Sequence, residues 1–158
     1  MAKTLGIPKG MRWKMIKRTS RDNARTPMQW TAEEGAGFTT GKPWLKINAN
    51  RAEANVESES KKTDGVLAFW KRMIAERKQN EILCAGSFKA VYQGRRVFAF
   101  ERELDGKRLL SVCNMTAKNT AMPRSIRGGE VLISSYNEYD EGRLKPFEFR
   151  LVKVEEKQ

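Results

Sequence analysis

The stretch "SRDNARTPMQW", residues 20–30, gathers the side chains with the most specific chemistry in the chain. Arg21, Asp22 and Arg25 set two permanent cations around one carboxylate. A guanidinium presents a planar set of N–H donors suited to a carboxylate or to the vicinal hydroxyls of a polar ligand. The same three side chains are also what a turn-stabilising cluster would use, with Asp22 and Arg25 paired to each other. Both readings start open.

Elsewhere the available chemistry is narrow. The chain has no histidine. That excludes Ser–His and Cys–His nucleophiles and any zinc site built on imidazole. Cys84 and Cys113 both sit in apolar runs read as strands, and their spacing matches no metal or redox motif. They are expected to be reduced, buried thiols. Glu33–Glu34 and Asp140–Glu141 are adjacent acids. Neighbours in an extended chain point to opposite faces, so neither pair suits a catalytic dyad. No catalytic residue, metal ligand or cofactor is assigned.

At 158 residues, with 39% hydrophobic residues, four Trp, seven Phe and three Tyr, the chain can build a core. No apolar run approaches the roughly 18 residues of a membrane span, and no apolar stretch follows the basic N-terminus as in a signal peptide. The expectation is a cytoplasmic protein. The net charge of +12 raises nucleic-acid binding as one function class. Six basic residues and no acid lie between Met1 and Arg18: Lys3, Lys9, Arg12, Lys14, Lys17 and Arg18. Beyond them the signs mix, as in "ERELDGKR", and no nucleic-acid motif occurs, so nucleic acid is not the expected partner.

Several elements must position the motif. "MRWKMIKR" reads as a short helix or strand behind the breakers Gly6, Pro8 and Gly10. Residues 19–60 show no periodicity and are dense in Gly, Thr and Pro, predicting a long loop. Such loops in compact domains serve a function or pack on something. Thr63 or Asp64 would cap a helix over 64–80. Val66, Leu67, Trp70, Met73 and Ile74 form its apolar stripe at 3.6-residue spacing. After Asn80, "SFKAVYQ", "RRVFAFERE", "RLLSVCNMT", "EVLISSYN" and "FEFRLVKV" read as strands of an antiparallel sandwich. "ELDGKRLL" predicts a hairpin, because Asp-Gly suits a two-residue turn with positive φ.

"SRDNARTPMQW" followed by "AGFTTGKPWLKIN" resembles the segment after the last barrel strand of glycoside hydrolase family thirteen. The likeness is to its oligo-1,6-glucosidase and α-glucosidase branch. It continues through "NVESES", the helix "VLAFWKRMIAERKQNEIL", "VFAFERE" and "LLSVCNMT" to "LKPFEFRLV". Thr31 departs from the aspartate common after the Trp, and "NANRAEANV" replaces a more usual Asn-Pro-Asn-Tyr run.

The resemblance implies a C-terminal part of a larger enzyme. Residues 1–80 would be the end of a (β/α)₈ barrel, with the substrate loop at 19–60 and the last barrel helix at 64–80. Residues 81–158 would be a C-terminal β-sandwich. The family hydrolyses terminal α-glucosidic bonds with retention, using carboxylates on earlier barrel strands that match nothing here. The chain alone would therefore be inactive. Arg21 would bond the non-reducing-end glucose, Asp22 and Arg25 would orient the loop through an ion pair, and Gln29 and Trp30 would hold it against the barrel. The implied partners are an α-glucosidic oligosaccharide, an upstream barrel polypeptide, and a second copy of the chain through the exposed helix stripe. A β-sandwich carbohydrate-binding module and a small basic nucleic-acid binder are the alternatives.

Overall fold

In a computed structural model the described residues are Gly6 and 8–154. Part of the basic N-terminal segment and the terminal "EEKQ" lie outside them. The chain divides into two compact units, Met1–Ala68 and Phe69–Gln158.

In the first unit "MRWKMIKR" is helical: α1 spans Lys9–Thr19. Pro8 precedes it, where a missing N–H costs nothing, and the Pro8 carbonyl accepts from Met11 and Arg12 N–H at 3.0 and 3.1 Å. Residues 20–55 form the expected irregular stretch, interrupted by single 3₁₀ turns at Asp22–Ala24, Glu34–Gly37 and Ala49–Ala52. A short helix that the periodicity did not announce follows, α2 at Val56–Ser60. Its cap is buried Asn55, whose Oδ1 accepts the Ser58 N–H at 2.8 Å while its Nδ2 donates to the Arg51 carbonyl at 2.7 Å.

The long helix α3 spans Val66–Gln79 and crosses from one unit into the other. The acid facing its start is Glu59 of α2. Its carboxyl is held below the ordinary value of 4.5 chiefly by a hydrogen bond from Lys62, against an opposing burial effect, with smaller help from the Leu67 and Val66 N–H groups. The predicted apolar stripe is largely open among the described residues: Val66, Trp70 and Ile74 are 70%, 61% and 50% exposed. Within the second unit, Phe69 of this helix stands edge-on to Phe149 with ring centroids 6.2 Å apart.

A short helix α4, Glu81–Ala85, follows. Asn80 caps it through Oδ1, which accepts the Ile82 N–H at 3.2 Å. Then come strands β1 (Lys89–Gln93), β2 (Val97–Leu104), β3 (Lys107–Asn114), β4 (Thr120–Ala121), β5 (Glu130–Ser134), β6 (Arg143–Leu144) and β7 (Phe149–Val154). A five-stranded sheet has the order β1-β2-β3-β7-β5, all pairs antiparallel, and β4 pairs β6 in a separate two-residue ladder. The fold of this unit is thus antiparallel sheet with helices. The ladders of β4 and β6 are too short to leave a readable alternation.

The Asp-Gly hairpin forms as predicted. Asp105 and Gly106 have φ of 51° and 76°, the doubly positive conformation of a two-residue turn, and Leu104 pairs with Lys107. Central strand β3 is buried on both sides, so Leu109 to Val112 are all buried in a row. Leu110 and Val112 join Val97, Ala99, Met122, Ile126, Leu144 and Val152 in the main core. Leu109 joins Leu83 and Leu151 in a second cluster. The alternation of side chains along a strand produces this division.

The thiol expectation fails for Cys84. It lies on α4 rather than in a strand and is exposed, with Sγ 2.9 Å from the Arg77 carbonyl. A five-residue apolar stretch is too short for periodicity to separate helix from strand. Cys113, on β3, is half-buried, and burial pushes its thiol pKa up. Alkylation of the native chain near neutral pH should therefore label Cys84 about tenfold faster than Cys113, read by peptide mass spectrometry. Equal rates would contradict this burial assignment.

Candidate functional site

The residues of "SRDNARTPMQW" divide into an anchored half and a presented half. Asp22–Ala24 makes one 3₁₀ turn, closed by Ala24 N–H to the Arg21 carbonyl and Arg25 N–H to the Asp22 carbonyl, both at 3.1 Å. Ser20 Oγ accepts the Asp22 N–H at 3.3 Å. Arg21, Asp22 and Arg25 are brought together on this one turn, and all three are exposed. The expected Asp22–Arg25 ion pair is not formed. The backbone closes the turn instead, and exposed side chains gain little from pairing in water.

Past buried Pro27 the chain is clamped. Gln29 and Trp30 carbonyls accept the N–H groups of Val56 and Glu57 at 2.9 and 3.0 Å, and Gln29 Nε2 donates to the Ala54 carbonyl at 2.5 Å. The Ala36 carbonyl receives both Trp30 and Thr31 N–H groups, at 2.8 and 3.2 Å. The carbonyl that accepts both hydrogen bonds lies in the left-handed bend Gly35-Ala36-Gly37, with φ of 78°, 53° and 65°. At Gly37 a Cβ would stand 3.1 Å from Trp30 Cβ and 3.2 Å from Thr31 Cγ2, so the glycine serves close approach as well as conformation. Gln29 and Trp30 therefore hold the loop through its own later segment, residues 36 and 54–57.

Two buried polar atoms of this clamp, Gln29 Oε1 and Thr31 Oγ1, have no hydrogen-bond partner among the described residues. An unmet buried hydroxyl is a net cost. Thr31→Val should therefore be neutral or stabilise by up to about 1 kcal/mol in urea unfolding. A loss of more than that amount would mean that the hydroxyl is satisfied.

Two features escaped the sequence reading. Trp44 is 98% exposed. It lies in a groove of about 1020 Å³ formed by residues 34–51, whose lining does not include Arg21, Asp22 or Arg25. The signal was present in "TTGKPW", an aromatic in a Gly/Pro-rich loop, but its exposure was not legible there. Among the described residues no group of three or more Cys, Asp or Glu stands close enough to hold a metal, and no helix is long and apolar enough to cross a membrane.

The family model described as alpha amylase, catalytic domain, matches residues 6–86. The oligo-1,6-glucosidase of Halalkalibacterium halodurans is 35% identical over 92% of this chain and 28% of its own length. That of Bacillus cereus is 36% identical over 85% of the chain and 26% of its own length. Among solved structures, the trehalulose synthase MutB from Pseudomonas mesoacidophila MX-45 superposes with a TM-score of 0.86 at 33% identity, covering 98% of this chain and 30% of that one. The isomaltulose synthase PalI from Klebsiella sp. LX3 gives 0.85 at 31% identity, covering 96% and 29%. The chain thus spans little more than a quarter of the length of these curated relatives. With the motif clamped on its loop and the catalytic-domain match covering that loop and α2, α3 and α4 beyond it, the chain belongs to the alpha-amylase family.

Proposed function

We propose that the chain is the C-terminal portion of an enzyme that hydrolyses terminal α-glucosidic bonds, principally α-1,6, in oligosaccharides. The observation that carries this reading is the division of the motif loop. Its Gln29–Thr31 half is locked by main-chain bonds, while the Arg21 guanidinium is presented to solvent. The aligned relatives named oligo-1,6-glucosidase and glucan 1,6-alpha-glucosidase supply the substrate class. In this reading residues 1–80 complete a barrel, and α3 lays its Val66–Trp70–Ile74 face on it or, in its absence, on a second copy. Residues 81–158 form a β-sandwich whose layers are the five-stranded sheet and the β4–β6 ladder.

A retaining glycosidase needs two carboxyl groups about 5 Å apart across the scissile bond. In this reading both come from barrel strands outside the chain. The work left to these residues is binding: Arg21 donates to the vicinal hydroxyls of the terminal glucose, and the turn that carries Asp22 and Arg25 sets its direction. The chain alone should not turn over p-nitrophenyl α-glucoside or isomaltose. Co-expression with a barrel polypeptide ending near residue 20 should produce glucose. Turnover by the chain alone would refute the placement of the carboxylates, and inactivity of a soluble, assembled pair would refute the substrate class.

A second reading comes from the solved relatives, which are named as trehalulose and isomaltulose synthases, one of them in complex with the substrate sucrose. Product analysis of the assembled pair on sucrose separates it: a rearranged disaccharide supports synthesis, free glucose supports hydrolysis.

A further inference from the structure

The groove around Trp44 is not used by the function proposed above. A tryptophan left 98% exposed forgoes the burial of one of the largest apolar surfaces a side chain has. Its surroundings are mixed, with Pro43 and Ile47 among polar side chains. Thr40, Lys42, Lys46 and Arg51 line the groove with donors, and Glu34 adds an acceptor among them. The walls are held locally. Thr39 Oγ1 accepts the Gly41 N–H at 3.0 Å, Pro43 stiffens the approach to Trp44, and Arg51 Nε donates to the Glu33 carbonyl at 3.1 Å. That bond uses one of the five guanidinium donors of Arg51.

We propose that this groove is a second carbohydrate site, on the loop that carries Arg21 but lined by none of Arg21, Asp22 and Arg25, that holds a pyranose ring of an α-glucosyl oligosaccharide against the Trp44 indole. A glucopyranose has an apolar C–H face and an equatorial belt of hydroxyls, each both donor and acceptor. The indole matches the face, and the mixed rim of ammonium, guanidinium, hydroxyl and carboxylate matches the belt. Glu34 sets one carboxylate among the three cations Lys42, Lys46 and Arg51, so the groove offers a sugar hydroxyl both donors and an acceptor, and phosphate is the competing ligand. The choice of an α-glucosyl ligand rests on the glucosidase reading. The location of the site rests on the groove alone.

The chain has four tryptophans, so its indole N–H signals in a ¹⁵N–¹H spectrum are few and separable. On titration with isomaltotriose to about 20 mM, the Trp44 indole should shift most, with a millimolar Kd. Trp44→Ala should raise that Kd at least about tenfold. The variant should remain folded, because removing so exposed a side chain leaves no cavity. Lys78→Ala, an exposed change on α3 outside the groove, should leave the Kd unchanged. The proposal is overturned by the absence of any shift, by shifts confined to the other indoles, or by an unchanged Kd in Trp44→Ala. Inorganic phosphate moving the Trp44 signal more strongly than the sugar would overturn it in favour of an anion site. Binding lost in Arg21→Ala but kept in Trp44→Ala would defeat the groove while leaving the glucosidase reading, which the turnover assay decides, intact.

Discussion

Glu148→Ala is expected to destabilise the sheet unit by about 3–5 kcal/mol, lowering its Tm by roughly 12–40 °C. Glu148 and Arg150 are 0% and 2% exposed, and Arg150 Nε donates to Glu148 Oε1 at 2.6 Å. Each partner is also held by the backbone. Lys145 N–H donates to Glu148 Oε2 at 2.5 Å, and Arg150 Nη2 donates to the Arg143 carbonyl at 2.6 Å. The Arg150 guanidinium lies 5.0 Å over the Tyr139 ring. Truncating Glu148 leaves a cation with almost no access to water and no counter-charge, which is the costly case for a buried pair. Removing both charges is different. Glu148→Leu with Arg150→Met should recover most of the loss, because the apolar pair sheds two desolvation penalties together. Urea unfolding of the two single variants and the double variant closes the cycle. A single-variant loss below about 1 kcal/mol would show that the pair is hydrated in solution.

In the enzyme assembled with a barrel, Arg21→Ala should lower kcat/KM for isomaltose by about 10² to 10³-fold, since each hydrogen bond to a charged donor is worth about tenfold or more. The arginine is exposed in this chain and its turn is closed by backbone bonds, so the substitution should not alter folding. Arg21→Lys should recover only part of the loss, because an ammonium keeps the charge but not the planar fork. Arg25→Ala should cost less than Arg21→Ala, since Arg25 holds the turn through its backbone N–H, which alanine retains. An Arg21→Ala enzyme within about threefold of the parent would show that the cluster is only a structured turn.

The contrast between these two sites explains how much could be read in advance. The Arg21 loop was legible because its chemistry is local: a short run of residue types carries both the turn and the donors. The Asp105-Gly106 hairpin was legible for the same reason, as positive φ at two successive positions selects those residues. Helix α3 announced itself through its repeat, although its first-turn acid came from α2. The Glu148–Arg150 pair ran against the pattern. In "FEFRLVKV" a period-two reading puts the aromatics inside and the charges in water. Instead Phe147 leaves the strand with φ of 53° and is 64% exposed, while Arg150 sits opposite Val112 in the sheet and is buried. No periodicity could show this, because the charges are balanced by each other and by carbonyl and N–H groups from residues 143–145. The groove at Trp44 was hidden for a related reason, since solvent exposure depends on what the remaining chain covers.

By itself the sequence determined what short-range stereochemistry controls: the motif loop, one long helix, five of the strands, a tight hairpin, and the exclusion of histidine chemistry. Only the tertiary structure decided which side chains those elements bury. It turned Glu148 and Arg150 inward, left Cys84 and Trp44 in solvent, and replaced the Asp22–Arg25 ion pair with backbone bonds. Turn and helix preferences act over three or four residues. Burial is a sum over neighbours from the whole chain, and pairs such as Val112 and Arg150 meet only once the sheet has formed.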